Sequence, residues 1–280
     1  GDPDTYTTVD VEETRIEIEK TNEDSEKLAV KKAIDLIYSR GEENGDILIF
    51  FASERQIRAT LAFLQKQKFT NTECLPLYGR LTHAEQLRIF KKGSKRRIIL
   101  TTNVAETSIT VPGINYVIDL GTARISRYNM NNKVQRLPIE PISQASANQR
   151  KGRCGRLANG LCIRLYSEEE FNNRQEFADP EITRTNLASV MLKMLAYGVG
   201  RIEDFPFLDP PDVRAIKTAF KLLYELNALT NKKELTNQGR KMASLPVDAR
   251  FSKMLILSSE MNCLREMIIL VSVLSIQDPR

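Results

Sequence analysis

The sequence predicts an α/β protein: a parallel sheet with flanking helices and an inserted β-hairpin, followed by a mostly helical C-terminal part. Three observations predict it. Short apolar runs alternate with helix-like segments between residues 45 and 166, the pattern of a parallel sheet with covering helices. An Asn-rich turn, Asn129-Met-Asn-Asn132, is flanked by the strand-like segments Arg124-Ile-Ser-Arg-Tyr and Lys133-Val-Gln-Arg-Leu-Pro, a hairpin signal. From about residue 177 the apolar spacing becomes helical.

Taken in order, residues 7–20 alternate apolar and charged side chains, as in an edge strand or an extended linker. Residues 25–40 read as an amphipathic helix with Gly41 as its stop. Gly45-Asp-Ile-Leu-Ile-Phe-Phe51 is a continuous apolar run, as expected of a strand buried on both faces. Ser53 is a candidate N-cap for a helix over Glu54–Lys66. Leu75–Tyr78 is a short strand, and Thr82 caps a helix through Phe90. Arg97–Thr101, Tyr116–Asp119 and Leu161–Tyr166 are further strands. Ligands on such sheets gather at the carboxyl ends of the strands, which is where the motifs are expected.

In the C-terminal part, Leu187, Val190, Met191, Met194 and Leu195 form an i, i+3, i+4, i+7, i+8 stripe between Asn186 and Gly198. Pro210-Pro-Asp opens a helix with Ile216, Ala219, Phe220 and Leu223 on its buried face, and Leu229–Thr236 is a short polar hairpin. Helix, helix and two-stranded wing is the order of a winged-helix module. Its second helix scatters its charges, Glu225 among them, and shows no base-reading face, so the module is read as structural. Residues 249–275 are two more helices.

Composition narrows the function classes. A length of 280 residues favours about two domains. The balance of 41 Lys+Arg against 36 Asp+Glu is weakly basic, compatible with nucleic acid without arguing for it. Cys74, Cys154, Cys162 and Cys263 show no Cys-x-x-Cys spacing, and His83 is the single histidine. Those facts fit a reduced, cytosolic setting and argue against a metal site. The longest apolar run, Met267–Leu274, is far short of a membrane span. No secretory pattern opens the chain, and Gly1-Asp-Pro is unlike a natural start, which suggests a cut from a longer chain.

One stretch organises the rest. Ser146-Ala-Asn-Gln-Arg-Lys-Gly-Arg-Cys-Gly-Arg156 places Arg150, Arg153 and Arg156 at every third position of an expected helix, with Gln149 at its head. Residues three apart share a helix face, and guanidinium forks suit phosphate. Gly152 and Gly155 weaken the helix and leave room for a close approach. A second string, Thr101-Thr-Asn-Val-Ala-Glu-Thr-Ser-Ile-Thr-Val-Pro-Gly113, follows a strand directly. Its hydroxyl and amide side chains suit phosphate contacts, or an ordinary N-capped turn.

Gln149-Arg-x-Gly-Arg-x-Gly-Arg156 resembles motif VI of the DEAH-box helicases of superfamily 2, and Thr102-Asn-Val-Ala-Glu-Thr-Ser108 resembles their motif V. Ile47–Ile57 is similar to motif IV, and Pro76–Thr82 with Gln86–Phe90 to the motif after it. Further strings, among them Val134–Gln149, Ile182–Val190 and Leu274–Arg280, look like the bacterial HrpA type. The resemblance covers about residue 45 to the end.

It implies a second RecA-like domain over 1–176 with a linker at 1–24, a winged helix over 177–245, and the start of a ratchet-like helical domain over 246–280. The activity implied is ATP-dependent RNA unwinding. The phosphate loop Gly-x-x-x-x-Gly-Lys-Ser/Thr and the Asp-Glu-Ala-His box do not occur in this sequence. They belong to a first RecA-like domain, which would hold most of the ATP and its Mg²⁺ and which this chain would complete in trans.

By the same resemblance Gln149 orients the attacking water, and Arg153 and Arg156 act on the γ-phosphate. Ser108 and Thr110 lie near the nucleotide, and Phe90 stacks on the adenine. Without the resemblance, Phe90 is equally well a helix-end core aromatic. Thr102 and Asn103 contact an RNA backbone. Arg80 and Thr82 are phosphate contacts or a plain surface turn, and Asp119 is structural. Arg124, Arg127, Lys133 and Arg136 decorate a strand-separating hairpin. Most members carry Asp where this chain has Pro112, and proline has no side-chain acceptor for a ribose hydroxyl. The implied partners are single-stranded RNA and the first RecA-like domain, in a monomer without membrane contact. A competing reading is a non-catalytic nucleic-acid-binding or regulatory module that uses the winged helix and the basic hairpin.

Overall fold

The computed structural model describes residues 11–18, 22–40, 45–67, 69–91, 93–129, 134–155 and 159–275. Gly41, the turn tip with Lys133, and Arg156 lie outside the described residues. The chain divides into two compact units. The first runs to Ile125 and includes Ile139–Ala178; the second comprises Ser126–Pro138 and the residues from Asp179 onward.

In the first unit the elements run β1 (Val11–Arg15), α1 (Glu23–Ser39), β2 (Asp46–Phe50), α2 (Glu54–Gln65), β3 (Thr72–Leu77) and α3 (His83–Arg88). They continue with β4 (Arg96–Thr101), α4 (Val104–Thr107), β5 (Ile114–Asp119) and β6 (Thr122–Arg124). After the excursion of β7 (Arg127–Asn129) and β8 (Val134–Arg136), which belong to the second unit, come β9 (Ile139–Pro141), α5 (Gln144–Lys151), β10 (Gly160–Arg164) and α6 (Glu168–Asn172).

Among the described residues the main sheet has six strands in the order β1-β10-β5-β2-β4-β3, all parallel. The apolar runs explain it. β2 is buried at every position, because helices cover both faces. Alternate residues feed two cores. Ile47, Ile49, Ile98, Leu100 and Ile118 pack with Val30, Ile34 and Ile37 of α1. Leu48, Phe50, Ile99 and Val117 pack with Ala105 and Cys154 on the other side. Ser53, Thr82 and Ser143 cap α2, α3 and α5 through their hydroxyls, each contributing about 1 kcal/mol.

One open expectation is settled and two change. The segment read as an edge strand or a linker is an edge strand over Val11–Arg15: β1 pairs with β10 from Val11↔Gly160 to Arg15↔Arg164. Glu13 secures it, accepting from Lys151 at 3.1 Å and forming an ion pair with Arg164 at 3.3 Å. The helix after Thr82 stops at Arg88, so Phe90 lies beyond it. The arginine-rich helix stops at Lys151 with Gly152 as its C-cap. Gly155 follows at φ +75, a conformation that suits glycine.

The hairpin is built in two stages, an inner antiparallel pair β6–β9 and an outer pair β7–β8 with Arg127 opposite Arg136. The second unit adds α7 (Glu181–Arg184), α8 (Leu187–Ala196), α9 (Val213–Glu225), α10 (Asn237–Ala243), α11 (Ala249–Glu260) and α12 (Leu264–Ser275). Its core joins Leu187, Met191, Leu192, Ile216, Ala219, Leu223, Leu229 and Met242. The expected wing is closed by an antiparallel bridge, Leu229↔Leu235. Thr236, at its end, caps α10, a helix that the sequence reading did not anticipate.

Candidate functional site

The candidate residues of the first unit divide between the two ends of the sheet. Thr102 and Asn103 follow the carboxyl end of β4, where the Thr102 amide donates to the Leu77 carbonyl of β3 at 3.3 Å. Arg80 is exposed on the turn after β3. Asn103 is exposed and occupies the N-cap position of α4 without a side-chain capping bond. Thr82 is exposed, but its hydroxyl exchanges bonds with Glu85 in a capping box. That bonding holds the Glu85 carboxyl below its usual range.

Ser108 and Thr110 are exposed on the stretch that returns from α4 to the amino end of β5. There Arg97, at the start of β4, donates to the Pro112 carbonyl at 2.8 Å and to the Ile89 carbonyl. It is held from beneath by Asp46 at 2.6 Å, and both side chains are nearly buried. One guanidinium therefore brackets Phe90, next to Ile89, and the loop that carries Ser108 and Thr110. The expectation that all motifs fall at the carboxyl ends fails for Phe90, because Ile89 beside it meets Arg97 at the amino end of β4, whereas Ser108 and Ile109 bond back to Val104 of α4. Phe90 is 42% exposed, so it is not a core aromatic.

α5 holds the arginine motif. Its expected arrangement, three guanidinium groups on one anion, fails for Arg150, which is fully buried. Arg150 donates to Glu106 at 2.9 Å, to Asp119 at 2.8 Å and to the Thr122 carbonyl at 3.2 Å, and lies 4.8 Å from the centre of the Phe50 ring. Burial opposes its charge, but Asp119 and Glu106 outweigh that and raise its pKa. Asp119 also accepts from Tyr166 at 2.9 Å and from the Gly121 amide at 2.9 Å, a structural set of partners. The lost helical register accounts for the split: Arg153 sits past the C-cap, where it donates to the Glu106 carbonyl. Gln149, in the last turn, is exposed.

Glu106 is the residue that the sequence reading passed over. Its carboxylate accepts from Ser146 and Arg150, and its carbonyl accepts from Arg153. The available signal was the i, i+4, i+7 spacing of Ser146, Arg150 and Arg153. The hairpin arginines are divided between the two units. Arg124 is exposed in β6 of the first unit. In the second, Arg136 is exposed and Arg127 pairs with Asp179 at 2.6 Å. Among the described residues no group of three His, Cys, Asp or Glu is placed to hold a metal ion, and no helix is long and apolar enough to cross a membrane.

Known proteins match this arrangement. The helicase conserved C-terminal domain matches residues 28–158. The winged-helix and ratchet-like parts of the helicase associated domain HA2 match residues 219–247 and 248–279. The chain is 58% identical to the ATP-dependent RNA helicase HrpA homolog of Haemophilus influenzae over 258 residues, which is 90% of this chain and 20% of that protein. It is 55% identical to the ATP-dependent RNA helicase HrpA of Escherichia coli, over 92% of this chain and 20% of that protein. Among solved structures, the Escherichia coli DEAH/RHA helicase HrpB superposes with a TM-score of 0.85 at 27% identity, over 98% of this chain and 34% of that one. The chain thus spans about a fifth of the length of these two bacterial relatives. Motif strings, three successive domain matches and the shared fold agree: the chain belongs to the DEAH-box helicases of superfamily 2, of the HrpA type.

Proposed function

We propose that this chain is part of the motor of an ATP-dependent RNA helicase, as its relatives are named, and that it completes an ATP site held mainly by a first RecA-like domain. The observation that carries the reading is the placement of Arg153 and exposed Gln149 at the end of α5, tied through Glu106 to the stretch with Ser108 and Thr110. These side chains suit a polyphosphate. They offer amide, guanidinium and hydroxyl donors, and Phe90 offers an exposed ring for a base. A magnesium ion would be held mainly by the first domain.

Gln149 would orient the attacking water. Arg153 and Arg156 would stabilise charge on the transferring phosphoryl group, a contribution of roughly 10³–10⁵ in rate where such arginines have been removed in other enzymes. Thr102, Asn103, Arg80 and Thr82 would grip the RNA backbone. The hairpin with Arg124, Arg127, Lys133 and Arg136 would separate strands. Opening and closing of the two RecA-like domains would then step the RNA.

The test is steady-state ATP hydrolysis, with and without single-stranded RNA, by this chain and by the full-length protein. Turnover only in the full-length protein, stimulated by RNA and abolished by Arg156→Ala with RNA binding retained, is the expected result. Absence of hydrolysis in both, with RNA present, would overturn the reading.

A further inference from the structure

We propose that Glu106 is a positioning residue for Arg153. Through it, the RNA-facing turn at Thr102 and Asn103 would govern the arginine aimed at the transferring phosphate. This rests on the functional reading above and assigns how its two ends communicate.

The geometry is specific. Glu106 lies in a four-residue helix between the residues assigned to RNA, Thr102 and Asn103, and those assigned to the nucleotide, Ser108 and Thr110. It collects three successive side chains from one face of α5 and its continuation: Ser146 and Arg150 on its carboxylate, Arg153 on its carbonyl. Arg150 has further partners besides it. That guanidinium is fixed in the core by Asp119, the Thr122 carbonyl and the Phe50 ring.

Since Asp119 alone balances the charge of Arg150, the second carboxylate exceeds what neutralising a buried cation needs. What it adds is a bond between α4 and α5. Arg150 is the fixed point, and any shift of the turn at Thr102 and Asn103 moves the carbonyl that receives Arg153. A displacement of about 1 Å at such a group is enough to cost on the order of 100-fold in rate.

The experiment uses the full-length protein with saturating single-stranded RNA. Glu106→Ala is expected to lower kcat about tenfold or more, with half-saturating ATP and RNA concentrations within about twofold of the parent. Glu106→Gln, whose oxygen still accepts from Arg150 while its NH2 can donate to the Ser146 hydroxyl, should restore at least about half of the parent kcat. If Glu106→Ala does not fold, Ser146→Ala removes one of the three links and should lower kcat by about threefold.

Three outcomes overturn the proposal: an Ala variant with kcat within about twofold of the parent, a Gln variant as impaired as Ala, or equal losses in kcat and in both half-saturation values, since the last is what general misfolding gives. A parent enzyme without RNA-stimulated hydrolysis is a separate result, and it would sink the functional reading itself.

Discussion

Arg150 and Asp119 meet at 2.8 Å with neither side chain exposed to solvent. The first arginine of the Gln149–Arg156 motif thus serves the core. Removing one partner of such a pair strands a buried charge, which typically costs about 3–5 kcal/mol. Asp119→Ala should lose about that much in urea denaturation, and a loss below about 1 kcal/mol would show that Glu106 suffices for Arg150.

In the proposed function Arg153 acts on the transferring phosphate. In the full-length protein Arg153→Ala should lower RNA-stimulated kcat by roughly 10²–10³-fold, as when one preorganised donor to a developing charge is lost. RNA affinity should stay near that of the parent. A rate within about threefold of the parent would show that Arg153 does not reach the phosphate.

Gly239 is fixed by close backbone approach. A Cβ there would lie 2.2 Å from the Ala228 carbonyl oxygen and 2.9 Å from Leu235, and a carbonyl in the chain cannot swing aside as a side-chain tip can. Gly239→Ala should destabilise the second unit by about 1–3 kcal/mol or more, although alanine is the better helix former. Differential scanning calorimetry of the variant would show it, and an unchanged or raised Tm would contradict this packing.

Cys154 and Cys162 should behave as inert thiols. Burial pushes Cys154 up to about 11 and Cys162 further up. Reaction with a disulfide reagent at pH 8 should therefore be slow for both until the protein is unfolded, because the thiolate is the nucleophile. The same shifts give a sign for stability. The folded state holds these protons more tightly, so the contribution is full below the unfolded thiol value of about 8.5 and is lost as pH rises through the folded values. Urea midpoints measured from pH 8 to 10.5 should fall, and for a Cys154→Ser/Cys162→Ala variant the fall should be smaller.

The parallel sheet was legible because β2, β4, β5 and β10 each carry an apolar run that only a strand covered on both faces can bury. α2, α8 and α9 were legible from a cap residue followed by an apolar stripe: Ser53, Asn186 and Asp212 each accept from a backbone amide in the first turn. α10 was not, since Asn237-Gln-Gly-Arg offers no stripe and has Gly239 inside. Its helix exists because Thr236 caps it and Met242 and Ala243 reach the core of the second unit. The short hairpin of the wing was legible from the alternation in Leu229–Thr236, and the structure closes it with the antiparallel bridge Leu229↔Leu235 and the Thr230–Glu234 and Thr236–Ala228 backbone bonds.

By itself the sequence determined the family, the layered α/β plan and the identity of the motif residues, since these depend on residue type and on spacing along the chain. Tertiary structure decided that Arg150 is buried against Asp119 while Arg153, past the end of the helix at Gly152, stays half-buried against the Glu106 carbonyl. It also decided that Phe90 lies toward the opposite end of the sheet from Thr102. That relation is set by the hold of Arg97 on the Ile89 and Pro112 carbonyls. No local pattern encodes it, because its partners are far apart in sequence and meet only when the strands are assembled.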